Sequence, residues 1–447
     1  MKPSVYIETH GCQMNVADSE RAEDRLRSAG YKIIGSSTDA DIVLFNTCSI
    51  RERASQKVFN RIGEVRRSRR RSAPAIGVLG CVAQLEGAAI FEHTPDVDLV
   101  LGTRATDRLP DLLERVEAGE KVLDLGERDD ADSWLLSAAS RHSPYIAFVP
   151  IIEGCNKFCS YCIVPFSRGR EKSRLASDVI ADIVALRSEG FREVHLIGQN
   201  VNSFRPRTDE GLESFGGATM FSRLLRAVAA TGMERIKFTT SFPRDFHSDI
   251  VSAIDENENL CDWVHLPVQS GNNHVLRLMR RGYTAESYLK CVDAIKSANR
   301  KLALTSDVIV GFPGETESEF EDTMSLVERC DFDGLYMFKY SERPGTPSAA
   351  LLDDVSKEEK TRRYLDLEQL QRRKQKMIYD DYLGREVAVL VVGESTKSAS
   401  DMNGHSTCQK VVNFAGDRHL LGQTVRVTIT EAKQNSLYGE QRGCAAI

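Results

Sequence analysis

Three cysteines fall within eight residues in the run Gly154-Cys155-Asn156-Lys157-Phe158-Cys159-Ser160-Tyr161-Cys162. In a chain of 447 residues with 11 cysteines this spacing is a rare coincidence, and thiols this close suggest ligation of a metal or a cluster. A structural zinc site wants four ligands, and no fourth Cys or His is adjacent. Three thiolates on a four-iron cluster leave one iron without a protein ligand, open to a small chelating molecule.

A second trio is spread more widely. Cys12, Cys48 and Cys81 each follow a short apolar run, within Gly11-Cys12-Gln13-Met14-Asn15, Asn46-Thr47-Cys48-Ser49 and Gly80-Cys81. Packing cysteines in an α/β core would be the plainer account. The repeated strand-end context argues otherwise, because the carboxyl ends of the strands of an open parallel sheet share one edge where ligands bind. Cys261, Cys291, Cys330, Cys408 and Cys444 lack such a pattern and are read as packing or surface residues.

The elements that must position these thiols follow from periodicity. Apolar runs at 5–9, 41–47, 75–80 and 97–102 alternate with helical patterns, which predicts a doubly wound parallel sheet covered on both faces. Residues 1–125 form this N-terminal domain and a polar stretch at 126–143 reads as a linker. Over 144–379 six strand–helix units suggest a partial (β/α)6, TIM-like barrel with its chemistry at the strands' carboxyl ends. The charged segment 356–379 reads as a solvated connecting helix. From 380 to 447 short strands separated by Gly, Ser and Asn predict a small β-barrel.

Composition fits a compactly folding chain, with 41% hydrophobic and 28% charged residues, and excludes wholesale disorder. The net charge of −6 leaves any nucleic-acid contact to local patches. Basic residues cluster at Arg61, Arg66, Arg67, Arg69, Arg70 and Arg71, at Arg168, Arg170, Lys172 and Arg174, and at Arg277, Arg280 and Arg281. No apolar run nears the roughly 18 residues of a membrane span, and the start lacks an export signal, so a cytoplasmic protein without a membrane partner is expected.

The Cys155-x3-Cys159-x2-Cys162 loop, with aromatic Tyr161 before its last cysteine and placed at the first strand of the barrel, resembles the radical S-adenosylmethionine superfamily. With the cysteine-bearing first domain and a last domain similar to the RNA-binding TRAM domain, nearly the whole chain resembles the methylthiotransferase family. That resemblance implies two [4Fe-4S] clusters, one on Cys155, Cys159 and Cys162 that generates a 5′-deoxyadenosyl radical, and one on Cys12, Cys48 and Cys81 that handles sulfur. It implies two molecules of S-adenosylmethionine per turnover, with cofactor contacts from Tyr161, Gln199, Asn200, Gln269 and the Gly311 segment.

Within the family, Asn46-Thr47-Cys48-Ser49-Ile50-Arg51-Glu52 and Gly198-Gln199-Asn200-Val201-Asn202 are similar to the MiaB type, which acts on isopentenylated adenosine-37 of tRNA. The implied partners are a tRNA anticodon stem–loop, a reducing electron donor and a sulfur donor. Leu175 departs from the proline that often follows Ser-Arg in the family. Two alternatives stay open from the sequence: a methylthiotransferase acting on threonylcarbamoyl-adenosine-37 or a ribosomal protein, and a non-enzymatic iron–sulfur RNA-binding regulator.

Overall fold

The computed structural model describes residues 2–49, 52–68, 73–126, 136–396, 398 and 400–441. Ile50, Arg51, Arg69, Arg70, Arg71 and Cys444 lie outside them, as do nine residues of the expected linker, 127–135. The chain divides into two compact units, Met1–Ser143 with Phe148–Phe158 and Cys162–Lys172, and Pro144–Ala147 with Cys159–Tyr161 and Ser173–Ile447.

The first unit is built on β1 (Ser4–His10), α1 (Gln13–Ser28), β2 (Lys32–Ile33), β3 (Ile42–Thr47), α2 (Glu52–Ser68), β4 (Ala75–Gly80), α3 (Cys81–Glu86), α4 (Ala89–His93), β5 (Leu99–Leu101), α5 (Leu109–Glu117) and β6 (Val122–Asp124). Its six strands are all parallel in the order β2-β1-β3-β4-β5-β6. Successive side chains of a strand point to opposite faces. Ile42 and Leu44 therefore pack with Leu26, Leu112 and Leu113 on one side, and Val43 and Phe45 with Val58, Ile62 and Ile76 on the other. Burial on both faces is why β3 reads as an unbroken apolar run. The strand order reverses between β1 and β3, the switch point where such sheets hold ligands.

Beyond residue 135, Ser137 and Ser140 bond to Asp24 and His142 to Glu20 and Glu23, all of α1, which anchors that end of the expected linker. Next come β7 (Ile146–Pro150), β8 (Ile152–Glu153), α6 (Val164–Arg168) and β9 (Lys172–Ser173). Within the first unit α6 packs on α3, and Thr103 Oγ1 donates to the Ser167 carbonyl at 2.8 Å.

The second unit carries α7 (Ala176–Ser188), β10 (Glu193–Ile197), α8 (Met220–Ala229), β11 (Arg235–Phe238), α9 (Asp249–Glu256), β12 (Trp263–His265), α10 (Asn273–Leu278), α11 (Ala285–Lys296), β13 (Ala303–Val310), α12 (Glu317–Cys330), β14 (Gly334–Lys339) and α13 (Lys357–Asp380). β10 pairs parallel with β11, and its Glu193 N–H donates to Tyr145 just before β7; β12, β13 and β14 form a second parallel set. Thr219, Thr284 and Thr316 cap α8, α11 and α12 with their hydroxyls, which fixes where each helix begins. The connecting helix is less solvated than its charge suggests, since α13 buries Arg363, Leu367, Leu370 and Tyr379.

The last strands, β15 (Glu386–Glu394), β16 (Asp401–Ser406), β17 (Val411–Ala415), β18 (Thr424–Ala432) and β19 (Leu437–Gln441), close as β15-β16-β17-β19-β18 around Val389, Val391, Phe414, Val427 and Ile429. Closure leaves no unpaired edge strand. The small barrel is tied to the neighbouring sheet by a buried ionic knot. Glu193 of β10 meets Arg235 at 2.8 Å and His405 at 3.0 Å, and Arg235 donates onward to the His405 and Ser406 carbonyls.

Candidate functional site

Cys12, Cys48 and Cys81 stand one after another along the carboxyl edge of the first sheet, after β1, β3 and β4. Cys12 is the N-cap of α1 and Cys81 opens α3, so both thiols meet the positive end of a helix. The neighbouring Cys48 thiol lowers Cys12 to about 6, against the opposing effect of burial, and the charge of Arg168 adds to the lowering. Burial pushes the Cys81 thiol up while Arg168 draws it down.

The edge is braced by a buried amide network. Asn15 Nδ2 donates to Asn46 Oδ1 at 3.1 Å and to the Thr47 carbonyl at 3.2 Å, while the Cys12 N–H donates to Asn15 Oδ1 at 3.2 Å. Asn46 Nδ2 returns a bond to the Asn15 carbonyl at 2.8 Å. Two glycines make room: a Cβ at Gly11 would sit 2.3 Å from Asn15 Oδ1, and one at Gly80, where φ is +89°, 2.4 Å from Asn46 Oδ1. Asn15 and Asn46 are more than the thiols' neighbours in sequence. The signal for Asn15 was its place three residues into the helix that Cys12 caps.

The basic clusters place Arg168 in a local patch for nucleic-acid contact, and the structure corrects this. Its guanidinium is buried against Asp18 at 2.6 Å and Glu153 at 3.3 Å. Arg174 is likewise buried against Asp182, and Arg281 is buried too. Arg170, Lys172, Arg277 and Arg280 remain exposed.

In the other trio, Cys155 and Cys159 are buried and Cys162 is half-buried. Cys155 and Cys162 belong to the same compact unit as Cys12, Cys48 and Cys81, and α6, which starts two residues after Cys162, packs on the helix that Cys81 opens. The ten described cysteines form no disulfide. Among the described residues no three His, Cys, Asp or Glu side chains gather as they would around a single metal ion. A four-iron cluster asks for a different arrangement, with each thiolate on its own iron. Mostly buried thiols, none of them in a disulfide and one depressed toward thiolate, suit that demand.

In the second unit, Arg281 Nη1 donates to Cys159 Sγ and to Tyr161 Oη, each at 3.3 Å, while Nη2 holds the Pro267 carbonyl at 2.9 Å. The ring of Tyr161 rests on Val275, Met279, Phe312 and Tyr340. Gln199 and Asn200 follow β10; the Gln199 Oε1 is buried without a hydrogen-bond partner. Burying such an oxygen unpaired is costly, so it suits an acceptor awaiting a ligand donor. Asn202 locks the loops after β10 and β11 together, donating to the Phe242 carbonyl at 2.9 Å and accepting from its N–H at 2.8 Å.

Gln269 is buried with φ +77° and bridges Val308 of β13; Gly311, at φ +69°, follows that strand. A Cβ at Gly311 would come within 2.3 Å of Lys360, and its N–H donates to Glu315 at 2.6 Å. Gln269 and Gly311 thus share one strand set and Gln199 and Asn200 the other, all at carboxyl ends. Leu175, in place of the family's proline, has φ −64°, so its backbone is already proline-like.

Comparison with known proteins agrees with this anatomy. Residues 4–102 match the uncharacterized protein family UPF0004, 149–327 the radical SAM superfamily and 380–441 the TRAM domain. A radical S-adenosylmethionine methyltransferase, TsrM, from Kitasatospora setae shares the fold at a TM-score of 0.56 with 13% identity, over 77% of this chain and 75% of its own. Fold and thiols thus define a radical SAM protein with an added α/β domain and a TRAM barrel. The tRNA-2-methylthio-N(6)-dimethylallyladenosine synthase of Koribacter versatilis is 43% identical over 98% of both chains, and that of Serratia proteamaculans 41% over 98% of this chain and 92% of its own. The chain belongs to the tRNA-2-methylthio-N(6)-dimethylallyladenosine synthase family.

Proposed function

We propose that this chain is a tRNA methylthiotransferase converting N6-(dimethylallyl)adenosine-37 to its 2-methylthio derivative. The observation that carries this reading is 41–43% identity, over nearly the whole length, with synthases named for that product. Cys155, Cys159 and Cys162 hold the radical-generating [4Fe-4S] cluster, and Cys12, Cys48 and Cys81 hold a second, sulfur-handling one. When bound, the clusters and two molecules of S-adenosylmethionine per turnover supply hydrogen abstraction, sulfur and a methyl group.

The chain's own residues bind and orient. Tyr161, Gln199, Asn200, Gln269 and the Gly311 backbone contact the cofactor, with Gln199 Oε1 as a waiting acceptor. The Asn15–Asn46 network fixes the spacing of the strand-end thiols, so the second cluster meets a preset edge. Residues 1–125 form the sulfur-handling domain, 144–379 the radical domain and 380–447 the TRAM-like barrel that grips the anticodon stem–loop. An external reductant and a sulfur donor complete the cycle, in the cytoplasm. Among the described residues no helix is long and apolar enough to cross a membrane.

The test is anaerobic incubation of the iron-loaded chain with reductant, S-adenosylmethionine and tRNA with or without the isopentenyl group, followed by mass spectrometry of the nucleosides. Methylthio product on isopentenylated tRNA alone is expected. Product only on tRNA lacking that group overturns the substrate, and no deoxyadenosine under any condition overturns the enzyme.

A further inference from the structure

The buried guanidinium of Arg281 has no part in the assignments above. It is 5% exposed and lies against the Phe242 ring, 4.5 Å from its centroid, with Tyr283 on another side. Nε donates to Tyr283 Oη at 2.8 Å and Nη2 to the Pro267 carbonyl at 2.9 Å, so the group is held at two further points while Nη1 reaches Cys159 Sγ. Tyr283 Oη in turn donates to the Val268 carbonyl at 2.7 Å. Its nitrogens donate to one sulfur, two phenols and a carbonyl, so the charge is met by polar groups that carry no full negative charge of the carboxylate kind. A fixed cation in such low-dielectric surroundings acts strongly on its neighbours. Charge and hydrogen bonds at cluster sulfurs set the reduction potential of iron–sulfur centres.

We propose that Arg281 is a positioning residue that raises the reduction potential of the cluster on Cys159, by holding one positive charge against that ligand's sulfur. The added electron makes the cluster more negative, and the nearby cation favours that state. Arg281 thereby lets the cluster accept its electron from a weaker reductant than it would otherwise need. The inference rests on the reading of Cys159 as a cluster ligand.

The experiment is an EPR-monitored redox titration, without S-adenosylmethionine, of the full chain carrying Cys12→Ala, Cys48→Ala and Cys81→Ala, so that one cluster reports. Arg281→Gln, with iron per chain unchanged, should lower the reduced-to-oxidised ratio about tenfold at the parent midpoint, a fall of about 59 mV for a one-electron couple. An unchanged midpoint in iron-replete Arg281→Gln overturns the proposal. Should that variant not retain iron, Arg281→Lys decides, since it keeps the charge: a ratio less than tenfold below the parent supports the proposal, and a larger fall overturns it. Cys159→Ala in the same background tests the underlying reading separately, because full retention of the cluster there refutes the ligand assignment whatever Arg281 does.

Discussion

Asn15 and Asn46 exchange hydrogen bonds across the carboxyl edge of the first sheet, Asn15 Nδ2 to Asn46 Oδ1 and Asn46 Nδ2 to the Asn15 carbonyl. One residue lies three places after Cys12 and the other two places before Cys48, so the pair ties two thiol-bearing loops at a fixed spacing. Asn46→Ala removes both exchanged bonds and leaves Asn15 Nδ2 with the Thr47 carbonyl alone, at about 1–3 kcal/mol. We expect a lower thermal midpoint and selective loss of iron, from near eight atoms per chain to near four on the stoichiometry of two four-iron clusters. Full iron content in the variant would show that the amides do not set the thiol spacing.

The two thiol sets should separate in chemistry. Cys159→Ala should abolish both deoxyadenosine formation and the methylthio product, because the radical set loses a ligand. Cys48→Ala should spare some cofactor cleavage yet give no methylthio nucleoside. Chromatography of both products in one reaction checks the split, and normal methylthiolation by either variant refutes its assigned role.

Much of this was legible in the residues. The strands after which Cys12, Cys48 and Cys81 lie read directly, because burial on two faces writes continuous apolar runs such as Ile42–Phe45. The two-residue β2 and the three-residue β6 escaped, being too short for a period to register. β16 and β19 of the small barrel escaped for another reason: Asp-Met-Asn-Gly-His-Ser and Leu-Tyr-Gly-Glu-Gln take their place from pairing with neighbours more than from intrinsic strand preference. Arg168 and Arg281 were misread as surface charge, since a run of basic residues does not reveal which will find a buried carboxylate or sulfur. Glu193 gave no sequence signal either, its partner His405 being 212 positions away.

That distant pair yields a stability prediction. Glu193 is fully buried, and although burial opposes its charge, bonds from His195 and His405 and the charge of Arg235 hold the carboxyl well below the usual range. Glu193→Ala leaves the Arg235 guanidinium buried without its counter-charge, a change that costs about 3–5 kcal/mol. Scanning calorimetry should show a fall of several degrees in the unfolding midpoint. Limited proteolysis should release the β15–β19 barrel sooner than in the unaltered chain. Equal midpoints and equal cleavage would mean that the knot does not hold the barrel.

Glu315 links the Gly311 turn to pH. Burial raises its carboxyl to about 7, outweighing the Gly311 N–H and the charge of Arg363. Its Oε2 takes both of those bonds, at 2.6 and 3.0 Å, while Oε1 is buried without a partner. An unfolded glutamate releases its proton near 4.5 and the folded one near 7, so between these values the native state binds more protons. Stability should therefore fall as pH rises through that window, by on the order of 3 kcal/mol. Glu315→Gln keeps an oxygen for the Gly311 N–H and an uncharged amide, and Arg363 keeps Glu359 at 2.8 Å. Urea unfolding of both chains at pH 5 and pH 7.5 checks this: the variant should lose less stability than the unaltered chain across the interval. Identical losses would remove Glu315 as the source of the slope.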